Sequence, residues 1–328
     1  MSFESQIIKS RPFFNKQQIR RLQKHTINNK LNYEVNKTQI LNKVNKICYE
    51  LKFPRCTLET SIYFYQRYYL FNKFESEYCF IVGVSCILLS SKQMETVKKI
   101  NEICSVALKL RNTEAENMSN QNAKINPEVL ENFKKRVIQI EQRILESCCF
   151  DYRIYYLNHG INLSESLILI GKDLKVDKEV CKLGWIICYD VLNTELILIL
   201  PGFLISFVIL KISSEIFQLH YKESNYESPF FDTDKYSIRK DFSDEAYFTI
   251  LNMYINKFDS FEIKNYNKIS LSIETFMKLK EVAGEESGIS MLSEDQLDLD
   301  SYINEIRDFN IKERRYVLDS TIIENEIK

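Results

Sequence analysis

The side chains best suited to covalent or metal chemistry are scarce in this chain. Of 328 residues only three are histidines, His25, His159 and His220, and they lie far apart in sequence. The expectation for each is a solvated or hydrogen-bonded role, with no metal bound. Nine cysteines make an odd number without any C-x-x-C pair, which disfavours zinc. Cys48, Cys86 and Cys148 fall on apolar helical stripes, and Cys188 follows Trp185-Ile186-Ile187, so they read as buried reduced thiols of a reducing compartment. Neither G-x-G-x-x-G nor G-x-x-x-x-G-K occurs. Gly284-Glu285-Glu286-Ser287-Gly288 is no nucleophile elbow, because its serine is displaced by one and no strand precedes it. What remains is charged groups at helix ends. Lys92 closes one apolar helix and Glu141 lies within another. By type alone they are an ordinary surface ion pair worth about 0–1 kcal/mol. Arg67, set among tyrosines, reads as a structural arginine bonding helix ends, and Trp185 reads as core.

The elements that must position these groups are helices. There are 7 glycines where average usage gives about 23, and 5 prolines. So few breakers argue against a β-sandwich or a doubly wound nucleotide-binding fold. Hydrophobic residues at 45% can fill a large core, and the length suggests two domains or a duplicated one. A net charge of −1 gives no global basic field for nucleic acid. Met1 to Ser5 lacks the pattern of a secretory signal. Leu196 to Ile212 approaches the length of a short membrane span, but Pro201-Gly202 divides it and no basic flank frames it. We therefore expect a buried interior helix there and no membrane partner.

Asn15 to Leu22 reads as a capped amphipathic helix. Gln39 to Leu51 carries Ile40, Val44, Ile47, Cys48 and Leu51 at helical spacing, and Pro54 ends it. Further helices are expected over Leu58–Phe71, Glu75–Lys92 and Lys98–Leu110. The second of these is apolar on every face and so is surrounded by the others. Residues 112–127 are polar and aperiodic and read as an inserted loop. A fifth helix after Pro127 carries Leu130, Phe133, Val137, Ile140, Ile144, Leu145 and Cys148. Sliding the chain by 123 residues lays Glu50-Leu51-Lys52-Phe53 on Asp173-Leu174-Lys175-Val176, and Phe80 to Val84 on Phe203 to Phe207. One offset aligning three helices indicates duplication. The expected fold class is all-α: two tandem five-helix units, with an N-terminal helix and a C-terminal helical or extended tail. Their spans are 1–38 for the arm, 39–152 for the first unit (insertion 112–127), 153–260 for the second and 261–328 for the tail. One helix, Ile273 to Ala283, is expected in that tail, with Gly284 to Asp300 extended or disordered.

This arrangement resembles the cyclin family. Thr57 to Tyr69 resembles the second helix of a cyclin box, and Ser85 to Lys92 the third, ending on the family's lysine. Glu141, Ile144, Leu145 and Phe150-Asp151 resemble the fifth-helix pattern, while Trp185, Asp190, Thr194 and Pro201 resemble the transcriptional branch. Further stretches from Phe13-Phe14 to Glu313 through Leu318 are similar to cyclin subunits of kinases that act on the RNA polymerase II C-terminal domain. The resemblance implies a non-catalytic subunit without cofactors that activates a cyclin-dependent kinase in the nucleus, with the cytoplasm as a second location, and promotes transcription elongation. The implied partners are a catalytic alpha subunit and a third, gamma subunit in a heterotrimer, with no direct nucleic-acid binding. It carries kinase binding onto Lys92 and Glu141, with Leu89, Leu145 and Phe150 beside them as either the apolar centre of the contact or core. Gln93 stands where many cyclins have an aromatic, so the patch is more polar here. Two alternatives are a cyclin-fold module like a general transcription factor, binding DNA and protein, and an uncharacterised all-α enzyme.

Overall fold

A computed structural model of the chain describes residues 13–116, 126–148, 150, 162–221 and 229–287. The described residues form twelve α-helices and two short 3₁₀ turns, with no strand among them. The described residues divide into two compact units: the first holds those from Gln17 to Phe150, the second Phe13–Lys16 together with those from Asn162 to Ser287.

In the first unit, but for Lys16 at its very start, α1 is Lys16–Thr26, α2 Lys30–Glu50, α3 Arg55–Phe71, α4 Cys79–Gln93, α5 Ile100–Glu116 and α6 Pro127–Ser147. α4 is the central helix. Every residue from Cys79 to Ser91 is buried, and α2, α3, α5 and α6 all pack on it. Its small residues permit this. A Cβ on Gly83 would sit 2.9 Å from Ile40 Cγ2, so α2 and α4 meet at close range only because residue 83 has none. The Ser85 hydroxyl donates to the Val137 carbonyl of α6 at 3.0 Å, and those of Ser90 and Ser91 bond back to Cys86 and Leu88 of their own helix. The buried polar atoms of an apolar helix are thereby satisfied.

α2 starts nine residues earlier than the spacing of its apolar residues predicts. Asn29 caps it, accepting from the Asn32 N–H, and its first turns bury Tyr33 and Lys37. Lys37 is buried and its Nζ donates to Glu34 Oε1 at 2.9 Å, which hides a buried face behind polar letters. α5 likewise runs through Asn112 to Glu116, inside the stretch read as a loop; residues 117–125 lie outside the described residues.

In the second unit, α7 is Leu163–Asp173, α8 Lys178–Val191, α9 Leu196–Ile199, α10 Gly202–His220, α11 Lys240–Lys257 and α12 Ile273–Ser287. The offset of 123 holds residue for residue at three places: α2 and α7 end, α3 and α8 start, and α4 and α10 start in register. Even the packing repeats. Ser206 takes the place of Gly83 and donates to the Leu163 carbonyl at 2.7 Å, where Leu163 stands in the place of Ile40. α10 passes the length and hydropathy test for a membrane span, yet it is buried among α7, α8, α11 and α12 as an interior helix.

The boundary expected at residue 260 is not one in the structure. α12 packs on α11: Phe276 is fully buried and stacks on Tyr254 with centroids 4.6 Å apart, and Lys280 Nζ donates to Asn252 Oδ1 at 2.7 Å. The helix also continues through Gly284 to Ser287. Residues 229–239 are non-helical, so α12 supplies the fifth long helix of this unit. A second tie is Asp190. Its carboxylate accepts from Tyr254 Oη at 2.9 Å and from the backbone N–H groups of Glu262 (2.9 Å) and Ile263 (3.1 Å). It thus caps the 3₁₀ turn Glu262–Asn265 from another helix.

Glycine scarcity has a structural price at helix ends. Lys52 (φ 53°) and Lys175 (φ 54°) hold the left-handed conformation at corresponding places of the repeat. The next N–H in each case reaches five residues back, Phe53 to Cys48 and Val176 to Gly171, both at 2.9 Å. This is the helix-ending turn at which glycine is favoured, since Cβ costs about 1–2 kcal/mol there. A Lys52→Gly/Lys175→Gly chain is therefore expected to unfold at a higher temperature than the wild type, by roughly 0.5–1 kcal/mol per site. A lowered midpoint in a calorimetric scan would contradict this.

Candidate functional site

The end of α4 is fixed from three sides. Glu95 (φ 54°) turns the chain out of the helix, with the Thr96 N–H bonded to the Ser91 carbonyl at 2.9 Å. The Thr96 hydroxyl meets that of Thr57, at the start of α3, at 2.9 Å. Lys92 therefore leaves a rigid last turn, where its charge also complements the helix dipole. Its Nζ donates to both carboxylate oxygens of Glu141 on α6, at 2.7 and 2.9 Å. Glu141 is nearly buried, its side chain 10% exposed, whereas the Lys92 side chain is 52% exposed. The pair is thus a carboxylate set into the wall of the unit and covered by a half-solvated ammonium. Further binding capacity remains on both: an ammonium has three donors and a carboxylate about four acceptor positions.

Beside it lie the apolar residues. Leu145 is one turn beyond Glu141 on the same edge of α6 and is half-buried. Phe150 is 58% exposed and takes a left-handed conformation (φ 56°), its N–H bonded to the Leu145 carbonyl at 3.0 Å. Leu89 does not share in this surface. At 2% exposure it belongs to the core, one turn before Lys92, and it supports the patch from beneath. Its position on a helix enclosed by four others leaves it no free side. The sequence-derived set therefore separates into Lys92, Glu141, Leu145 and Phe150 at the surface and Leu89 below.

Arg67 is a structural residue, as its surroundings in the sequence suggested. It is fully buried, donates to Tyr63 Oη at 2.9 Å, and also hydrogen-bonds Cys148, the residue that caps α6. It thereby ties α3 to the turn that presents Phe150. Trp185 departs from expectation: it is 36% exposed on α8, and its neighbours Leu183, Gly184 and Ile187 take the core positions. Asp151 and His159 lie outside the described residues; His25 and His220 are exposed. Six of the eight described cysteines are buried, and burial pushes the Cys48 thiol up to about 12 and the Cys104 thiol to about 11, which removes them as nucleophiles. No group of three metal-ligating side chains occurs among the described residues. The hydroxyl ties through Thr57, Ser91 and Thr96 were not foreseen, because single serines and threonines carry no pattern that marks a tertiary bond.

The arrangement is a fixed charge pair with spare donors and acceptors, next to an exposed aromatic. Residues 10–153 match the family described as "Cyclin, N-terminal domain". Over 99% of its length the chain is 45% identical to the CTD kinase subunit beta of Saccharomyces cerevisiae, 96% of which is covered. It is 26% identical to human Cyclin-K over 43% of this chain and 22% of that protein. Among solved structures, the crystal structure of the yeast RNA Pol II CTD kinase CTDK-1 complex contains a similar chain: TM-score 0.73, 44% identity, and 97% of both chains covered.

Proposed function

The chain belongs to the cyclin family, and on that premise we propose that it is the regulatory subunit of a cyclin-dependent kinase that phosphorylates the RNA polymerase II C-terminal domain. The observation that carries this is the pairing of Lys92 with Glu141 on a nearly complete match to a CTD kinase beta subunit. In this reading the chain performs no phosphate transfer itself. Lys92 and Glu141 hydrogen-bond exposed backbone groups at the end of a kinase helix, where N–H and C=O groups lack partners within the helix. Leu145 and Phe150 bury the apolar side of that helix. Held there, the helix directs its glutamate to the lysine that orients ATP. The surface is rigid before contact, because the Thr57–Thr96 and Arg67–Cys148 ties fix the two helix ends and the Ser85–Val137 bond joins the helices, so little ordering cost falls on this side of the interface. The assembly is a heterotrimer with a third, gamma subunit. It works in the nucleus on elongating polymerase and does not contact nucleic acid through this chain.

Gentle affinity purification of the tagged full chain from its own cells tests the reading. The expected eluate holds two further subunits, one of them a cyclin-dependent kinase, and phosphorylates a polymerase heptad-repeat peptide. An eluate with no protein kinase in it would refute the assignment.

A further inference from the structure

A second concave feature of the first unit lies on the other flank of α6 from Glu141. It is a groove of about 760 Å³ between the C-terminal end of α3, the start of α4 and the outer face of α6. Its walls are polar. Three cations reach it, Lys73, Arg136 and Arg143, against two carboxylates, Glu75 and Glu146. All five are exposed, as are Gln139 and Gln142 on the same α6 face. Tyr68 and Tyr69 form the inner wall, 5% and 1% exposed. Arg143 donates a hydrogen bond to the Tyr68 hydroxyl; burial pushes that phenol up and the guanidinium pulls partly against it. The Tyr69 hydroxyl is buried and has no hydrogen-bond partner among the described residues.

Arg136 and Arg143 are seven residues apart on one helix, which at 1.5 Å per residue separates them by about 10.5 Å along α6. In a polyproline II peptide, with three residues per turn, residues three apart lie on the same face and are separated by about 9 Å. Guanidinium groups recognise phosphate bidentately. The amides of Gln139 and Gln142 lie between the two arginines in sequence and suit the backbone of a peptide running along the helix. Glu75 and Glu146 repel a polyanion with phosphate on every residue, so discrete anionic groups on a peptide fit better than a nucleic-acid strand.

We propose that this groove binds a phosphorylated protein segment in polyproline II conformation, with Arg136 and Arg143 each taking one phosphate of a pair spaced three residues apart. The surface is separate from the one that holds Lys92, so the proposal stands whether or not the chain activates a kinase.

The test is fluorescence anisotropy with the purified full chain and a labelled ten-residue peptide carrying two phosphoserines three residues apart. Binding is expected to be at least tenfold tighter than to the unphosphorylated peptide and to a single-stranded RNA of ten nucleotides. Arg136→Gln/Arg143→Gln, both surface positions, should abolish that tenfold preference while leaving the thermal midpoint unchanged. Lys92→Ala should keep it. Equal binding of the two peptides, tighter binding of the RNA, or a full preference in the double-arginine variant would overturn the proposal. If the double-arginine variant misfolds, moving the second phosphoserine to six residues from the first is the alternative test: the preference should fall, and an unchanged preference would overturn the proposal.

Discussion

A chain carrying Lys92→Ala together with Glu141→Ala is expected to bind its kinase about 100-fold more weakly and to lose most of the stimulation at fixed concentration. The estimate follows from truncating a desolvated charged pair at an interface, which costs about 2–5 kcal/mol. Stability should change far less. Lys92 is half in solvent, and an exposed ion pair contributes about 0–1 kcal/mol. The double substitution is cleaner than either single one. Lys92→Ala alone leaves Glu141, only 7% exposed, without its cation, whereas removing both leaves no orphaned charge. Phosphate incorporation into a heptad peptide, titrated with variant and wild type, gives the comparison. Full activation by the double variant, at wild-type concentrations, would contradict the site assignment while leaving the fold untouched.

The second large effect is on stability. Asp190→Ala deprives Tyr254 Oη and the N–H groups of Glu262 and Ile263 of their acceptor. Tyr254 and Ile263 are fully buried, so water cannot replace it. Each buried donor left unsatisfied costs about 1–3 kcal/mol, and a loss on the order of 3–5 kcal/mol is expected for the second unit in urea at pH 7. The same carboxyl sets a pH dependence. Burial, opposed by the Glu262, Tyr254 and Ile263 donors, raises it from the model-peptide value of 3.8 to about 6. The native state then holds the proton more tightly than the unfolded chain between about pH 4 and 6. The contribution is fully present below pH 3.8 and is lost as pH rises through about 6. The gap between wild type and Asp190→Ala should therefore narrow by on the order of 3 kcal/mol from pH 4 to pH 7. A gap that widens over that range would contradict the burial of this carboxylate.

Much of the architecture was legible because the duplication is written in apolar letters. Gly83 to Val84 and Ser206 to Phe207 fall in the fully buried first turns of the central helices, which leave no room for charge, so the offset of 123 survives in both units. The helix ends were harder. α2 begins among Lys30, Asn32 and Glu34, where Lys37 is buried through an ion pair that periodicity counts as solvent. α12 was placed in the tail because nothing in the sequence tells a docked helix from a free one; Phe276 on Tyr254 decides it only in three dimensions. Lys92 and Glu141 came from the resemblance, since two charges 49 residues apart carry no signal of contact. The same resemblance could not distinguish Leu89 in the core from Phe150 in solvent, because both are apolar residues near a helix end. Trp185 was misplaced for a related reason: an apolar letter on an amphipathic helix does not state which side of the stripe it occupies.

In the proposed role this chain activates a kinase and has no phosphate transfer of its own. Reconstitution from purified components tests it most directly. The full chain, the cyclin-dependent catalytic subunit and the mixture of both are each given ATP and a heptad-repeat peptide, and initial rates of phosphorylation are measured. No rate is expected for the chain alone, a low rate for the catalytic subunit, and at least a hundredfold increase on mixing that saturates at one chain per kinase. A catalytic subunit equally fast without the chain, or a chain that phosphorylates the peptide by itself, would contradict it.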